Sequence, residues 1–273
     1  MNILYGRVQL AAEAALNLWR VKMNEDKQVI RDFWNYRSQT FDKSPGHYAA
    51  SKEEEEAWKV LLRSKLGNAE KILDIGSGTG FLSLILADMG YGVVGIDLSE
   101  KMITRASAKA REKGLPIAFH QDDAENLGFE NNSFDAIVNR AVLWTLPHPD
   151  IAVREWMRVL RPGGKLCFFL HEPRDDRKVS IQKQVLNLWI LLSERRNPWR
   201  TLGNGRQAVN LPYNGGVKPG VIVDLLKSAG YSNVLAEPMH RIEALKRQRL
   251  PYPYRISHGH GQFCYTAEKP KED

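Results

Sequence analysis

Cysteine is scarce in this chain, and long apolar runs are absent from it. The two cysteines among its 273 residues, Cys167 and Cys264, stand in apolar stretches with the composition of strands. That placement favours buried reduced thiols over a disulfide framework or a metal site. The longest apolar runs, such as Leu188 to Leu192, are too short to cross a membrane. The first residues also lack the layout of a signal peptide, so we expect a cytoplasmic protein with no membrane span.

Apolar residues are nevertheless frequent enough for a substantial core. They make up 43% of the chain, and the mean hydropathy is -0.41. A length of 273 residues is long for one ordinary domain and predicts one large domain with additions. The net charge of +7 at pH 7 permits attraction to nucleic acid, anionic lipid or carboxylated metabolites, without choosing among them.

A glycine turn follows the most strand-like stretch of the chain. The stretch from Lys71 to Ile75 is apolar except for its first residue and Asp74, and it predicts a strand that is covered on both faces. Glycine then recurs at every second position, at Gly76, Gly78 and Gly80. This spacing lets the backbone turn sharply and approach a ligand closely. The helix predicted from Phe81 to Met89 begins with free N–H groups that point towards the same turn.

The turn departs from the dinucleotide-binding fingerprint G-x-G-x-x-G. Its third glycine comes one residue early, and Phe81 stands where that fingerprint needs a small residue, which argues against a nicotinamide dehydrogenase. The pattern D-x-G-x-G-x-G resembles the first motif of the class I S-adenosylmethionine-dependent methyltransferases. The resemblance implies S-adenosylmethionine as cofactor, with the first two glycines beside its methionine part and Asp74 holding its amino group, directly or through water. The implied binding residues of this turn are Asp74, Gly76, Ser77, Gly78 and Gly80.

An acid ends the second predicted strand, which runs from Gly92 to Asp97. Asp97 falls about twenty residues beyond the turn, where α/β nucleotide sites place a carboxylate that accepts both ribose hydroxyls. The alternative is a carboxylate that caps the next helix, but Ser99 is equally well placed for that task. We therefore predict that Asp97 binds the ribose, with Leu98 beside it in the site.

Two adjacent acids, Asp122 and Asp123, follow a short third strand, and the residues alone leave the choice between them open. The resemblance implies that Asp123 receives the adenine amino group and that the backbone N–H of Ala124 bonds the ring. Asn139 ends the fourth predicted strand, which begins at Ser133. It completes the predicted cofactor site.

The acceptor side is predicted from position, since ligands of open α/β sheets lie outside the carboxyl ends of the strands. Candidates just after the fourth strand are Arg140, Trp144 and His148. Family members commonly have an aromatic segment ahead of the core that closes over the cofactor, and here that segment contains Tyr36, Phe41 and His47. For these residues a place in the pocket wall and an ordinary packing or surface position both stay open. Phe33 and Trp34 are expected only to pack their helix onto the domain.

No catalytic residue is identified by the sequence. A general base is needed only for an acceptor that is protonated and weakly acidic, and His47 and His148 are the candidates for that role. His258 and His260 flank a glycine but have no cysteine or carboxylate partner near in sequence, so we predict no metal site.

Five successive β-α units predict a parallel sheet with right-handed crossovers. A sixth strand is expected near Ser232 to Glu237 and a last one from Gly261 to Glu268, which the resemblance implies is antiparallel. The predicted fold class is therefore a Rossmann-like, doubly wound α/β sheet. We expect an N-terminal helical cap over residues 1–50, with helices at 2–21 and 25–40. A methyltransferase domain over 51–273 is expected to carry a helical lid insertion at about 172–216. That insertion serves equally well as a dimer contact or as a cover for a sheet edge.

The implied activity is methyl transfer from S-adenosylmethionine to a small-molecule acceptor, and Arg140 together with the basic lid favours an anionic one. The Asn-Pro-Pro-Tyr type of tetrad of amino-directed DNA methyltransferases is absent, as is the Pro-Cys nucleophile of cytosine-C5 enzymes. Two cysteines are also too few for arsenite methylation. RNA methylation is the alternative, because the C-terminal part is basic, although no RNA-binding module is attached. A further alternative is a protein that binds the cofactor as a scaffold and does not turn it over, because such a protein would have the same motifs.

Overall fold

The computed structural model describes residues 21–173, 180–200, 202, 209–257 and 261–271. The strands of its central sheet are β1 (Lys71–Ile75), β2 (Gly92–Asp97), β3 (Ala118–Gln121), β4 (Phe134–Arg140), β5 (Leu160–His171), β6 (Ser232–Pro238) and β7 (Gln262–Glu268). They lie in the order β3-β2-β1-β4-β5-β7-β6. Strand β7 is antiparallel to β5 and β6, and the other neighbours are parallel. The predicted fold class is confirmed, including the antiparallel last strand.

Helices cover both faces of this sheet. The first described helix, α1, occupies residues 21–37. The next are α2 (Lys52–Leu66), α3 (Phe81–Asp88), α4 (Glu100–Glu112), α5 (Pro149–Val159), α6 (Ser180–Trp189), α7 (Pro219–Ser228), α8 (His240–Arg249) and α9 (Tyr252–Ser257). A π-helical turn, Ile190–Glu194, continues α6. Within the described ranges, no helix is both long and apolar enough to cross a bilayer.

Strand β1 lies between β2 and β4 and is apolar because both of its faces are covered. Ile72 belongs to the hydrophobic cluster on one face, together with Trp58 of α2. Leu73 and Ile75 belong to the cluster on the other face, together with Trp156 of α5. All five side chains are fully buried. The glycine turn therefore starts from the rigid centre of the sheet.

Two serine side chains cap helices. The Ser51 hydroxyl accepts a hydrogen bond from the Glu54 backbone N–H at 3.2 Å, and the Ser99 hydroxyl accepts one from the Met102 N–H at 3.2 Å. In the acidic first turn of α2, Glu54 is only 1% exposed. Its carboxylate turns back to accept a hydrogen bond from the Ala50 N–H at 2.9 Å.

Strand β5 contains a Pro-Gly-Gly segment at residues 162–164. This segment has the composition of a turn, but it lies inside the strand, as an irregularity in its pairing with β4. Phe134 pairs with Leu160, whereas Ala136 pairs with Lys165. Gly163 has a φ of 75° at this bulge, a conformation that glycine adopts without steric cost. The segment thus interrupts the ladder without ending the strand.

The two cysteines lie on neighbouring strands, Cys167 on β5 and Cys264 on β7. Both thiols are free and buried, as predicted, and their sulfur atoms are 3.8 Å apart. The hydrogen bond with the neighbouring Cys264 thiol, and next burial, raise the pKa of the Cys167 thiol well above its ordinary value. Cys167 is therefore not a nucleophile at neutral pH, and both residues pack as small apolar side chains in the core.

Three additions accompany the sheet and its helices. They are α1 with the segment up to residue 50, α6 with its π-helical turn, and the pair α8 and α9 between β6 and β7. The boundaries of the predicted cap, domain and lid stay predictions. The helix predicted at 2–21 lies outside the described residues except for Val21, which begins α1, and His258 and His260 also lie outside them.

Candidate active site

A cavity of about 860 Å³ lies at the carboxyl ends of β1, β2 and β4. Its volume is within the range of small-molecule sites, roughly 300–1,000 Å³. Predicted site residues that line it are Phe41, His47, Gly76, Gly78, Asp97, Leu98, Asp123, Ala124, Arg140 and Trp144. Predicted residues that are not part of its lining are Tyr36, Asp74, Ser77, Gly80, Asn139 and His148. The structure therefore brings the predicted cofactor and acceptor sides together around one space.

The glycine turn has the backbone conformation that its sequence predicts. Gly76, Gly78 and Gly80 all have positive φ angles, of 62°, 55° and 88°. A Cβ atom on Gly76 would lie 2.4 Å from a methyl carbon of Val142, which is a clash. The Ser77 N–H donates to the Ile96 carbonyl of β2 at 2.8 Å and anchors the turn. The turn forms a cradle that requires glycine and is open to the cavity.

Asp97 fixes this turn to the next element. Its carboxylate accepts hydrogen bonds from the Gly78 N–H at 2.9 Å and from the Ser99 N–H at 2.8 Å. Burial raises its pKa to about 6. Each carboxylate oxygen keeps lone-pair capacity beyond these two bonds. Asp97 is therefore able to hold the turn and still accept a donor from the cavity.

Other predicted polar residues are buried beside the turn. Asp74 is 1% exposed and accepts hydrogen bonds from the N–H and the hydroxyl of Ser83 in α3, at 3.0 and 2.6 Å. Burial raises the pKa of Asp74 to about 7. The side-chain amide of Asn139 and the hydroxyl of Ser77 have no hydrogen-bond partner among the described residues. Because such groups are rarely left unsatisfied, they fit a polar ligand or water at this turn.

The far end of the cavity, next to β3, is acidic and contacts α1. Lys27 of α1 donates to the Asp123 carboxylate and lies 3.2 Å from a carboxylate oxygen of Glu125. Lys27 is only 7% exposed and was not predicted. Asp122 uses its two carboxylate oxygens within its own loop, where they accept from the N–H groups of Asp123 and Gly128. Of the two adjacent acids, Asp123 is the one that α1 contacts.

The opposite end of the cavity is cationic. The Arg140 guanidinium donates to the Gly46 carbonyl at 2.7 Å and lies 4.1 Å from the centre of the Phe81 ring. Lys246 of α8 lines the same end, with its ammonium 5.1 Å from the centre of the Trp58 ring. Burial, and next the Arg140 charge, lower the pKa of Lys246 to about 7. Lys246 was not predicted from the sequence.

Aromatic side chains close the space between these ends. The Phe41 and His47 rings stack at 3.9 Å, and the Trp34 ring contacts those of Phe41 and Trp144 edge-on, both at 6.1 Å. Trp34 and its neighbour Phe33 line the cavity. The expectation that these two only pack a helix onto the domain was therefore wrong.

Tyr36 was a candidate for the pocket wall, with a packing or surface position left open. Its side chain does not face the cavity. Its ring lies 4.1 Å from the guanidinium carbon of Arg200 and is not part of the cavity lining. The phase of α1 explains the difference, since a helix presents positions three and four apart on one face. Lys27, Ile30 and Trp34 are on the face turned to the cavity.

Comparison with known proteins assigns the domain. A protein family described as a methyltransferase domain matches residues 73–168, a span that contains the glycine turn, Asp97, Asp123 and Arg140. This span of the chain is therefore similar to methyltransferase domains. The strand order of the sheet and its antiparallel β7 agree with the fold that this similarity implies.

Individual relatives match part of the chain. The phosphatidylethanolamine N-methyltransferase of Cereibacter sphaeroides is 36% identical over 118 residues, which cover 42% of this chain and 58% of that protein. The ubiquinone/menaquinone biosynthesis C-methyltransferase UbiE of Bdellovibrio bacteriovorus is 32% identical over 143 residues, 51% of this chain and 60% of that protein. The chain thus spans about three fifths of the length of each of these relatives.

A solved structure extends the likeness in fold. The phosphoethanolamine N-methyltransferase 2 of Haemonchus contortus superposes with a TM-score of 0.62 at 18% identity, over 89% of this chain and 61% of that one. At this identity the comparison concerns the fold alone. The structural match reaches beyond the residues that the family description covers, into the additions around the cavity.

The two histidine candidates are placed differently. His47 lines the cavity, and its Nδ1 lies 2.8 Å from the Phe41 carbonyl, which can only accept, so Nδ1 carries the proton. Burial, and next the Arg140 charge, lower the pKa of His47 to about 3, which makes it a weak base. His148 directly precedes α5, its backbone N–H donates to Glu125 at 2.7 Å, and it is not part of the cavity lining. His47 therefore lacks the basicity of a general base, and His148 lacks the position of one.

Proposed function

We propose that this protein transfers a methyl group from S-adenosylmethionine to a small-molecule acceptor. The observation that carries the proposal is the shared cavity: the glycine cradle and Asp97 form one side of it, and an aromatic and cationic wall forms the other. The family assignment and the relatives named above support the same chemistry. The match covers little more than half of those relatives, so the acceptor is argued from this cavity.

The cofactor residues that we propose follow the lining of the cavity. Asp97 accepts the ribose hydroxyls, Asp123 accepts the adenine amino group, and Leu98 and Ala124 flank the ring. The turn residues Gly76 and Gly78 approach the methionine part. Lys27 must share or release Asp123 when adenine binds, because it contacts the same carboxylate. Asp74 binds the amino group of the cofactor's methionine part, directly or through water. Ser77, Gly80 and Asn139 lie beside it in the proposed site.

When bound, the cofactor supplies a methyl group that its sulfonium already makes electrophilic. The residues of the protein then need only to align the acceptor and exclude water. Phe41, Trp34 and Trp144 provide an apolar wall for this purpose. Because neither His47 nor His148 is suited to remove a proton, we propose an acceptor whose attacking atom is already unprotonated when it binds.

The acceptor that we propose carries a negative charge. Arg140 and Lys246 line one end of the cavity, and neither has a carboxylate within ion-pair distance in the part of the chain that the structure describes. The buried Glu54 carboxylate acts on both cations only at longer range. Charges held away from solvent are normally paired. An anionic group on the acceptor would pair with both cations, whereas RNA, the alternative, would need an open basic groove.

We also propose that the protein works in the cytoplasm. Cys167 and Cys264 lie 3.8 Å apart as free thiols, which is consistent with the reducing conditions that keep thiols free in that compartment. A redox titration of the purified protein would test this point, because a disulfide that forms readily in the oxidising range would contradict it.

A methyl-release assay tests the proposed activity. The protein is incubated with methyl-labelled S-adenosylmethionine and a panel of small phenolates, amines and carboxylates, and extracts are searched for labelled product. We expect label in one anionic member of the panel and none with the Asp97→Ala variant. Binding of the cofactor without label transfer to any acceptor would instead favour the cofactor-binding scaffold.

A further inference from the structure

Helix α6 exposes an apolar face that its packing in the fold does not explain. On its inner side, Leu186 and Ile190 pack with Tyr254 of α9 and with Leu250. Its outer side and the π-helical turn expose large apolar side chains by 40% to 70%. These residues, the outer face of α6, are Val185, Leu188, Trp189, Leu191 and Leu192. A helix that is apolar on both sides normally has both sides covered.

Further exposed aromatic residues flank the outer face of α6. Trp199 follows the π-helical turn and is 59% exposed, and Tyr252 of α9, the helix that packs on α6, is 66% exposed. Together with Trp189 they are the residue types that concentrate at the boundary between apolar lipid and water. A single exposed apolar residue needs no explanation, but a helical face with three such aromatics at its margin does.

In the described stretches that form and flank this face, the exposed charges all have one sign. In residues 183–200 and 252–255, the exposed charged side chains are Lys183, Arg195, Arg200 and Arg255. The one acid in these stretches, Glu194, is 2% exposed and accepts hydrogen bonds from Ser44 and Arg196. The net charge of the whole chain is +7. The face is therefore a basic, apolar surface with no exposed acid in those described stretches.

We propose that the outer face of α6 docks the protein on the surface of an anionic lipid bilayer. Its leucines and valine would enter the boundary between headgroups and acyl chains, and the lysine and arginines would contact anionic headgroups. A second copy of this chain fits the face less well. A twofold interface places the same patch on both subunits, so these positive charges would face each other.

Docking through this face would also place the cavity close to the bilayer. Leu250 packs against the inner residues of α6 and lines the cavity. Helix α6 and the layer of side chains beneath it, which includes Leu250, therefore separate the docked face from the site. An acceptor that resides in the membrane surface would reach the cavity over a short path. The docking itself does not depend on the proposed methyl transfer.

Vesicle flotation tests the proposal. The full-length protein is mixed with vesicles of phosphatidylcholine alone, or of phosphatidylcholine with phosphatidylglycerol, at low and at high salt. We expect flotation with the anionic vesicles only, weakened at least tenfold by high salt, together with a blue shift of the tryptophan fluorescence. Equal binding to both kinds of vesicle, or binding to neither, would overturn the proposal.

Variants locate the contact. Leu188→Gln combined with Leu192→Gln should lower binding to anionic vesicles at least tenfold and leave binding of S-adenosylhomocysteine unchanged. The control is Val221→Gln combined with Leu235→Gln, since both residues are exposed apolar side chains outside the face, and it should bind like the wild type. A wild-type dimer that the first pair of substitutions converts to a monomer would identify the face as a contact between copies and overturn the proposal.

Discussion

Asp97 connects the glycine turn, helix α4 and the cavity through one carboxylate, since it accepts from Gly78 and Ser99 and lines the space between them. Asp97→Ala should therefore weaken cofactor binding at least tenfold, on the order of 1.4 kcal/mol or more. Calorimetry with S-adenosylhomocysteine measures the loss. Asp88→Ala, which removes a half-exposed carboxylate far from the turn, is the control. Unchanged affinity in a folded Asp97→Ala protein would reject the placement of the site.

Asp74 makes the stability of the fold depend on pH. Burial raises its folded pKa to about 7, well above the ordinary aspartate value of 3.8, so the folded state favours the protonated carboxyl. The stability that this provides is fully present below pH 4 and is lost as the pH rises through 7. Asp74→Asn keeps an acceptor for Ser83 without the charge. Its free energy of unfolding should match the wild type near pH 4 and exceed it at pH 8, by up to about 4 kcal/mol.

Urea unfolding of both proteins across that range measures this difference. Asp135→Asn serves as a control, since that carboxylate has a lowered pKa and its variant should lose stability at high pH instead. A constant difference between wild type and Asp74→Asn from pH 4 to 8 would mean that Asp74 titrates normally in the folded protein.

A substitution at Lys246 should weaken binding of the acceptor without weakening binding of the cofactor. Lys246→Met removes one of the two cations at the acceptor end while keeping the length of the side chain. We expect it to raise the KM of an anionic acceptor at least tenfold, with a change of less than about twofold in cofactor affinity. Arg249→Met, an exposed arginine on the same helix that does not line the cavity, is the matched control. A rise in KM that is equal in both variants would contradict the assignment.

Among the elements, the three additions to the sheet meet at one buried acid. Glu194, at the end of the π-helical turn, accepts hydrogen bonds from Ser44 in the N-terminal segment at 2.5 Å, from Arg196 at 2.7 Å and from Tyr254 of α9. Burial acts to raise its pKa, but these bonds outweigh burial and hold the pKa below its ordinary value. The carboxylate is therefore charged and ties together the elements around the cavity.

Glu194→Gln should loosen these elements more than it unfolds the core. An amide cannot accept three hydrogen bonds with the strength of a carboxylate. The substitution should therefore reduce the free energy that holds these elements together by roughly 2 kcal/mol. Hydrogen exchange should accelerate in residues 37–47 and 252–257 and stay unchanged in β1 and β4. Glu130→Gln, at an exposed position, should leave all of these segments unchanged. Uniform acceleration through the sheet would show that Glu194 supports the whole fold instead.

The elements of the sheet were predictable because their signals are local. Buried apolar runs, Ser51 and Ser99 as caps, and glycines at every second position each determine a short stretch by its own chemistry. The Pro-Gly-Gly segment inside β5 shows where a local signal fails to predict the structure. It has the composition of a turn, but pairing with β4 on both sides of it keeps it inside the strand.

Residues that come to the site from the additions were not predictable. Lys27 and Lys246 are lysines in polar helices, and nothing in their neighbours in sequence distinguishes them from lysines that face solvent. Their burial depends on how α1 and α8 dock on the sheet. The same reason explains why Trp34 replaces Tyr36 in the cavity wall, since the phase of α1 follows from its docking. The direction in which each side chain of a helix points depends on contacts with distant parts of the chain.

At the scale of the whole molecule, the sheet provides one rigid edge and the additions cover it. The cofactor side comes from β1, β2 and the loop after β3, all within the span matched by the methyltransferase family. The acceptor side combines Arg140 and Trp144, which lie inside that span, with α1, the segment around His47 and helix α8, which lie outside it. The matched span thus supplies the proposed cofactor side, and the additions complete the proposed acceptor side.

The central claim is that the glycine turn and Asp97 bind S-adenosylmethionine. Titration calorimetry of the purified protein with S-adenosylmethionine, S-adenosylhomocysteine and, as a control, NAD tests it most directly. The account predicts saturable binding of the first two at one site per chain and no heat of binding with NAD. Binding of NAD, or of none of the three, would contradict it.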